Sequence, residues 1–398
     1  MKTNKQQIKS FWALLALGIG AFGIGTTEFS PMGLLPVIAE GVGVSIPSAG
    51  LLISAYALGV MIGAPLMTIA FGRLRVKGAL ITLMSIFVLG NVLSALAPGY
   101  WTLLAARVVT SMNHGAFFGL GSVLAASLVP KDKQASAVAT VFMGLTIANV
   151  GGVPAATWVG QQIGWRMAFA GIAGLGLLAI LALALALPRG EPAKKTDVRR
   201  ELRVLTRPEV LLAMATTVLG SGAMFALYTY VAPILSSLTH ASAGFVTVAL
   251  MLIGLGFTAG NWLGGRLADW SLEGATKIFL GSLALVMFAL PWVLTSHIGA
   301  LLGLLLWGTA TFAIVPPVQM RVMQVAAGAP GLASSVNVGA FNLGNALGAA
   351  AGGGVISMGF SYAAVPVVGG LLATGGLLLV LASSAMKRRR TAAVACAT

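Results

Sequence analysis

Long apolar runs closed by short polar breaks repeat along this chain from about residue 11 to about residue 385. A helix needs roughly 20 apolar residues to cross a bilayer, and twelve runs are long enough. In the first half they cover about 11–36, 47–70, 78–97, 100–128, 134–159 and 165–188. In the second half they cover about 209–237, 243–268, 275–295, 298–325, 331–357 and 361–385. The one long polar interruption, RGEPAKKTDVRRELRVLTRP at 189–208, falls near the midpoint and is too charged to insert. It predicts a central loop carrying a short surface helix. Ala135-Ser-Ala-Val138 is echoed by Ala333-Ser-Ser-Val336 about half the chain later, and Gly72-Arg-Leu74 by Gly265-Arg-Leu267. The pattern predicts an all-α membrane protein of twelve transmembrane helices in two pseudo-symmetric six-helix bundles. The expected parts are residues 1–188, the loop 189–208, and 209–398 with its basic tail. In such duplicated plans a substrate site lies near the midplane between the halves.

Composition supports this division. Hydrophobic residues make up 58% and charged residues 8%, with a mean hydropathy of +0.96. Soluble domains carry about 25% charged residues. The net charge of +15 would suggest a nucleic-acid partner if the basic residues lay on one face. Instead, of 24 Lys and Arg, all but Arg107 and Arg166 fall in segments on one side of the predicted topology. That is the positive-inside pattern, which places both termini and the central loop in the cytoplasm and makes the bilayer, not nucleic acid, the partner. The single cysteine, Cys396, excludes an intramolecular disulfide. The first run is long, contains Glu28 and lacks a convincing small-residue cleavage site, so it predicts a retained helix.

Chemistry concentrates where polar residues interrupt apolar runs. Glu28 is the only acidic residue well inside one, and an acid at that depth costs about 2.5–3.5 kcal/mol on insertion scales. Arg107 lies in the fourth run at comparable depth, and His114 seven residues on shares its helix face. Together Glu28, Arg107 and His114 form a candidate proton-coupling set. An ion pair between Glu28 and Arg107 is expected if their helices touch; the bland alternative is a static structural salt bridge. Substrate-cavity candidates are the polar and aromatic groups at membrane depth: Tyr56, Asn113, Asn149, Tyr228, Trp307, Gln319, Asn342 and Asn345. Each has an ordinary structural alternative, since an amide in hydrocarbon can equally hold two helices together. Tyr228 and Tyr230 lie two apart and cannot face the same way on a helix, so at most one lines a cavity. Trp307 stands near mid-helix, away from the interfacial belts of the other tryptophans. No catalytic constellation and no metal motif is present: the one buried histidine has no neighbouring Ser or Cys nucleophile, and no helix carries H-E-x-x-H.

Several segments resemble the major facilitator superfamily, in its twelve-helix drug:proton antiporter branch and arabinose efflux permease group. They are Gly25-Thr-Thr-Glu-Phe-Ser-Pro-Met-Gly-Leu-Leu-Pro36, Asn113-His-Gly-Ala-Phe-Phe-Gly119, Gly152-Val-Pro154, Gly164-Trp-Arg166 and Ala340-Phe-Asn-Leu-Gly-Asn345. The resemblance implies alternating access driven by a proton gradient, with no cofactor, in a monomer of the bacterial inner membrane. It implies efflux of small neutral or amphipathic organic molecules such as sugars, nucleosides or drugs; proton-coupled import of a sugar or nucleoside is the alternative. Arg107 matches the family's fourth-helix arginine, and Gly151, Gly152 and Pro154 its antiporter motif. The loop after the second helix keeps Gly72 and Arg73 of the family pattern but has Ile69 where an aspartate is usual. The second copy, Gly265 to Asp269, retains its acid.

Overall fold

The computed structural model describes residues 2–188 and 198–395. Contacts divide the chain into two compact units, one bounded by Met1–Leu202 with Gly328–Asn342, the other by Arg203–Ala327 with Leu343–Thr398. The central segment 189–197 and Cys396 lie outside the described residues, as do the side chains of Lys2, Lys5, Lys9 and Lys387 to Arg390.

The first unit begins with α1 (Lys2–Gly41), α2 (Ile46–Phe71), α3 (Val76–Leu96), α4 (Tyr100–Ser111) and α5 (His114–Ser127). After one 3-10 turn follow α6 (Gln134–Ile147), a π-helical turn at Ala148–Gly152, α7 (Val153–Gln162) and α8 (Trp165–Ala186). A short helix, α9 (Val198–Leu205), then spans the boundary, as expected for the charged centre. The second unit contains α10 (Pro208–Tyr228), α11 (Val231–Leu238), α12 (Ala243–Trp270), α13 (Leu272–Val293), α14 (His297–Ala313) and α15 (Val315–Val325). Helix α16 (Pro330–Ser357) is shared between the units, and α17 (Ala364–Ala395) closes the second.

Ten helical stretches among the described residues are long and apolar enough to cross a membrane. The other two expected runs are helical but atypical. The fourth is interrupted at Met112–Asn113, which separates α4 from α5, and the eleventh is the Gly-, Ser- and Asn-rich α16. Helix starts are set by side-chain caps: Ser45, Ser242, Ser271 and Ser296 each accept from the N–H three residues on, at 3.0–3.3 Å.

Small residues govern the packing in both units. In unit 1, α1 packs on α6, α7 and α8, and a Cβ on Gly144 would run into the Gly18 carbonyl. In unit 2, α10 meets the second half of α16, where a Cβ on Gly344 or Gly348 would strike the Val218 or Gly222 carbonyl. Such close backbone approach is the usual basis of helix association in lipid. The remaining unit 1 core joins α3 to α8 and α4; in unit 2, α12 packs on α14, and both α10 and α13 pack on α17.

Candidate functional site

The ionisable groups singled out by sequence converge in unit 1. Helix α4 carries Arg107, which is 1% exposed. Its Nη1 donates to Thr27 Oγ1 at 3.1 Å and its Nη2 to the Thr27 carbonyl at 3.0 Å. The guanidinium carbon lies 4.4 Å from the Tyr56 ring centroid and 5.7 Å from that of Phe169. Cation–π contacts of this kind are worth about 2 kcal/mol or more when desolvated. Behind Arg107, Thr27 Oγ1 donates to Asn91 Oδ1 at 2.8 Å, and Asn91 Nδ2 donates to the Phe87 carbonyl at 2.9 Å. These bonds run in one direction from α4 through α1 to α3, while Arg107 Nε is buried without a hydrogen-bond partner.

Glu28 and Arg107 are not joined as an ion pair. Glu28 approaches His114, with Nδ1 4.0 Å from Oε2, an arrangement that is an ion pair only when the imidazole is protonated. The arginine is instead occupied by neutral oxygens and a ring face, and Glu28 lies beside an imidazole. His114 Nδ1 also lies 3.2 Å from the Tyr56 hydroxyl, while its ring packs on Phe118. When Nδ1 carries the proton, it faces the Glu28 carboxylate and the Tyr56 oxygen. When Nδ1 is bare, the Tyr56 hydroxyl donates to it. The Glu28 side chain is 13% exposed and that of His114 4%, so the carboxyl group is the more accessible end of the cluster.

The other unit 1 candidates divide. Asn113 sits in the α4–α5 break; its Nδ2 reaches only Met84 Sδ at 4.0 Å, and its buried Oδ1 has no partner. Asn149 lies in the π-helical turn and donates to the Leu145 carbonyl at 3.1 Å. Gly151 is exposed with open space around it, whereas a Cβ on Gly152 would meet Thr26 and Phe22 of α1. Pro154 opens α7. Gly72 caps α2, with its N–H on the Ile69 carbonyl at 3.3 Å, and Arg73 is exposed. Beside Ile69, Thr68 Oγ1 donates to Ser335 Oγ at 2.7 Å. Asn342 donates to the Val338 carbonyl at 3.0 Å, the local bond of an amide facing its own helix.

Unit 2 gathers aromatic rings. Trp307, fully buried on α14, stacks on Tyr228 with ring centroids 6.3 Å apart and contacts Phe257 at 5.9 Å. Phe257 in turn packs on Phe312 at 4.3 Å. The Trp307 indole Nε1, Thr311 Oγ1 one turn further on, and Asn345 Oδ1 are buried without a hydrogen-bond partner. Tyr230 turns its hydroxyl to the Ala349 carbonyl at 3.0 Å, leaving Tyr228 as the tyrosine of the ring cluster. Gln319 is buried in α15, Gly265 is buried in α12, and Asp269 is half-buried in the last turn of α12. Thr27, Asn91, Phe257 and Thr311 were not visible as site residues in the sequence, because their types are common in apolar helices. Among the described residues no group of three or more His, Cys, Asp or Glu could hold a metal ion.

An all-helical chain that spans the membrane many times and holds an acid, a guanidinium and an imidazole together inside its spans belongs to the class of multi-pass transport proteins. The chain belongs to the Major Facilitator Superfamily, whose family model matches residues 17–352. It is therefore a transporter of small molecules and not an enzyme. It is 63% identical over 366 residues to the inner membrane transport protein YdhP of Escherichia coli (strain K12), covering 92% of this chain and 94% of that one. It is 34% identical to a chloramphenicol resistance protein of Streptomyces lividans, covering 84% of this chain and 86% of that one. The fold matches the proton:xylose symporter XylE with a TM-score of 0.77 at 16% identity, over 94% of this chain and 96% of that one.

Proposed function

We propose that this protein is a proton-driven exporter of small neutral or amphipathic organic molecules, with Glu28 as the group that takes and releases the proton. The observation that carries the reading is the disposition of Glu28. It is the most exposed ionisable group of its cluster, faces His114 Nδ1, and is not joined to the nearby arginine as an ion pair. A carboxylate tied into a static ion pair would be a poor proton carrier, because the pair would have to be broken at each cycle. Here the imidazole and the Tyr56 hydroxyl offer two hydrogen-bonding arrangements that differ by the position of one proton. Arg107 contributes a fixed positive charge to the same site. In unit 2 the rings of Tyr228, Phe257 and Trp307, with the partnerless indole N–H, suit a flat or ring-bearing solute with one acceptor. The chloramphenicol resistance relative supports an amphipathic substrate of that kind. The skewed Lys and Arg distribution supports cytoplasmic termini, and the chain is taken to act as a monomer.

The test uses the full chain in inside-out vesicles, energised by an imposed proton gradient, with chloramphenicol and a free pentose as probes. An exporter accumulates its substrate inside such vesicles when the lumen is acid, and substrate addition dissipates the gradient. Accumulation in right-side-out vesicles instead would establish import. Transport indifferent to the gradient in both orientations would exclude proton coupling.

A further inference from the structure

The Arg107 anchor depends on a proline within α1. In an α-helix the carbonyl of residue i accepts from the N–H of residue i+4. For Thr27 that residue is Pro31, which lies inside α1 and has no N–H. The Thr27 carbonyl therefore lacks its helical donor, and a buried carbonyl left without a replacement is destabilising. The Arg107 Nη2 group replaces it at 3.0 Å, while Nη1 takes the hydroxyl of the same residue at 3.1 Å. One guanidinium edge is thus docked on one residue of α1, through an acceptor that exists only because a proline stands four residues on.

We propose that Pro31 is a positioning residue of the proton site: it frees the Thr27 carbonyl as a seat for Arg107, and so keeps the guanidinium off Glu28. The proposal rests on the reading of Glu28 as the proton carrier. Glu28 is the next residue in the chain after Thr27, so a guanidinium released from the seat has a carboxylate close by. Docked, it acts through space only, and the Glu28 carboxyl group remains with His114. The charged and titratable groups facing this region are few. They are Tyr56 from α2, Arg107 from α4 and His114 from α5. Helices α6 and α7 and the 328–342 segment carry none. The charged residues of α3 and α8, Lys77 and Arg166, are engaged elsewhere: Lys77 on the Ala184 and Leu187 carbonyls, Arg166 on that of Ala97.

Two measurements test the proposal. The first is a thermal-stability cycle in detergent on Pro31→Ala, Arg107→Gln and the double variant. Arg107→Gln in the native background strands the Thr27 carbonyl. With alanine at 31 an N–H is present to reclaim it, so Arg107→Gln should lower the midpoint less. Equal losses in the two backgrounds overturn the seat. The second is the pH profile of proton-driven transport by Pro31→Ala, set against counterflow without a gradient. Counterflow should persist while the transport midpoint moves about one unit to lower pH, as a freed guanidinium turns to the carboxylate. Pro31→Gly, which also restores an N–H, should behave alike. An equal reduction of transport and counterflow with an unmoved midpoint would make Pro31 a simple helix bend and overturn the positioning role. If Glu28→Gln proves fully coupled, the proton-carrier reading and the positioning role built on it both fall, while the stability cycle still decides the seat.

Discussion

Around α1 in unit 1, a carboxyl group, a guanidinium and an imidazole share one connected set of contacts, whereas around α14 in unit 2 the interior is stacked rings. Among the described residues no Asp, Glu, Lys, Arg or His of unit 2 is fully buried. The backbone contacts beneath the two interiors are alike: Gly144 lies on the Gly18 carbonyl in one, and Gly348 on the Gly222 carbonyl in the other. Similar helix scaffolding therefore carries titratable chemistry in one unit and apolar surface with isolated polar atoms in the other. On the proposed reading the first unit handles the proton and the second contributes most of the ring-binding surface.

The comparison breaks most sharply if the two units fail in the same way. Glu28→Gln keeps the shape of the side chain and loses its titration, so proton-driven accumulation should vanish while counterflow survives. Trp307→Ala should do the reverse, weakening substrate binding while the remaining transport stays coupled. Vesicle assays that find both variants uncoupled, or both merely weak in binding, would end the division of labour.

Next in size is the shared scaffold. Gly144→Val and Gly348→Val each force a side chain against a backbone carbonyl, and overpacking of this kind costs about 1–3 kcal/mol. Thermal unfolding in detergent should show similar losses for the two. A large loss at 144 with none at 348 would mean that the second contact is not structural. A smaller effect is expected from Trp307→Phe, which keeps a ring and deletes a buried N–H that has no acceptor. Because no hydrogen bond is lost, stability should change by less than the ~1 kcal/mol typical of a buried bond, while the apparent KM for a ring-bearing solute rises. Least of all, Arg73→Ala on the exposed turn after α2 should stay within about ±0.5 kcal/mol.

Much of this was legible from the pattern of residues. The apolar runs gave the helices because hydrocarbon thickness imposes their length. Glu28, Arg107 and His114 stood out because ionisable groups in lipid are expensive, and Trp307 stood out because it left the interfacial belts. The pairing inside unit 1 was not legible. An acid and a base at similar depth suggest an ion pair, but the acceptor that captured Arg107 is a backbone carbonyl, and a residue's type says nothing about its own carbonyl. The proline four residues after Thr27 was the available signal. Arg107 and His114 were expected on one face of a continuous helix. The break at Met112–Asn113 separates them, yet both still reach Tyr56. Phe257 gave no signal, since a phenylalanine in an apolar run is unremarkable until its neighbours are known.

The π-helical turn at Ala148–Gly152 has a consequence for how this segment tolerates insertions and deletions. A π-turn holds one residue more than an α-turn, with the Val153 N–H reaching back to the Ala148 carbonyl. Everything after it is therefore rotated by one residue's worth of helical phase, about 100°, relative to an uninterrupted helix. Ala156 and Gly160, the buried positions of α7, face inward in that phase, with Gly160 against Leu34 of α1. Deleting Val150 would let the local hydrogen bonds relax to the α pattern and leave Gly160 in phase against Leu34, because it removes the residue that the π-turn holds in excess; the same relaxation at full length would swing Gly160 away and turn bulkier side chains towards α1. The segment thus behaves as a frame-setting insertion: losing one residue within it is absorbed locally, whereas straightening it at full length re-indexes the whole of α7.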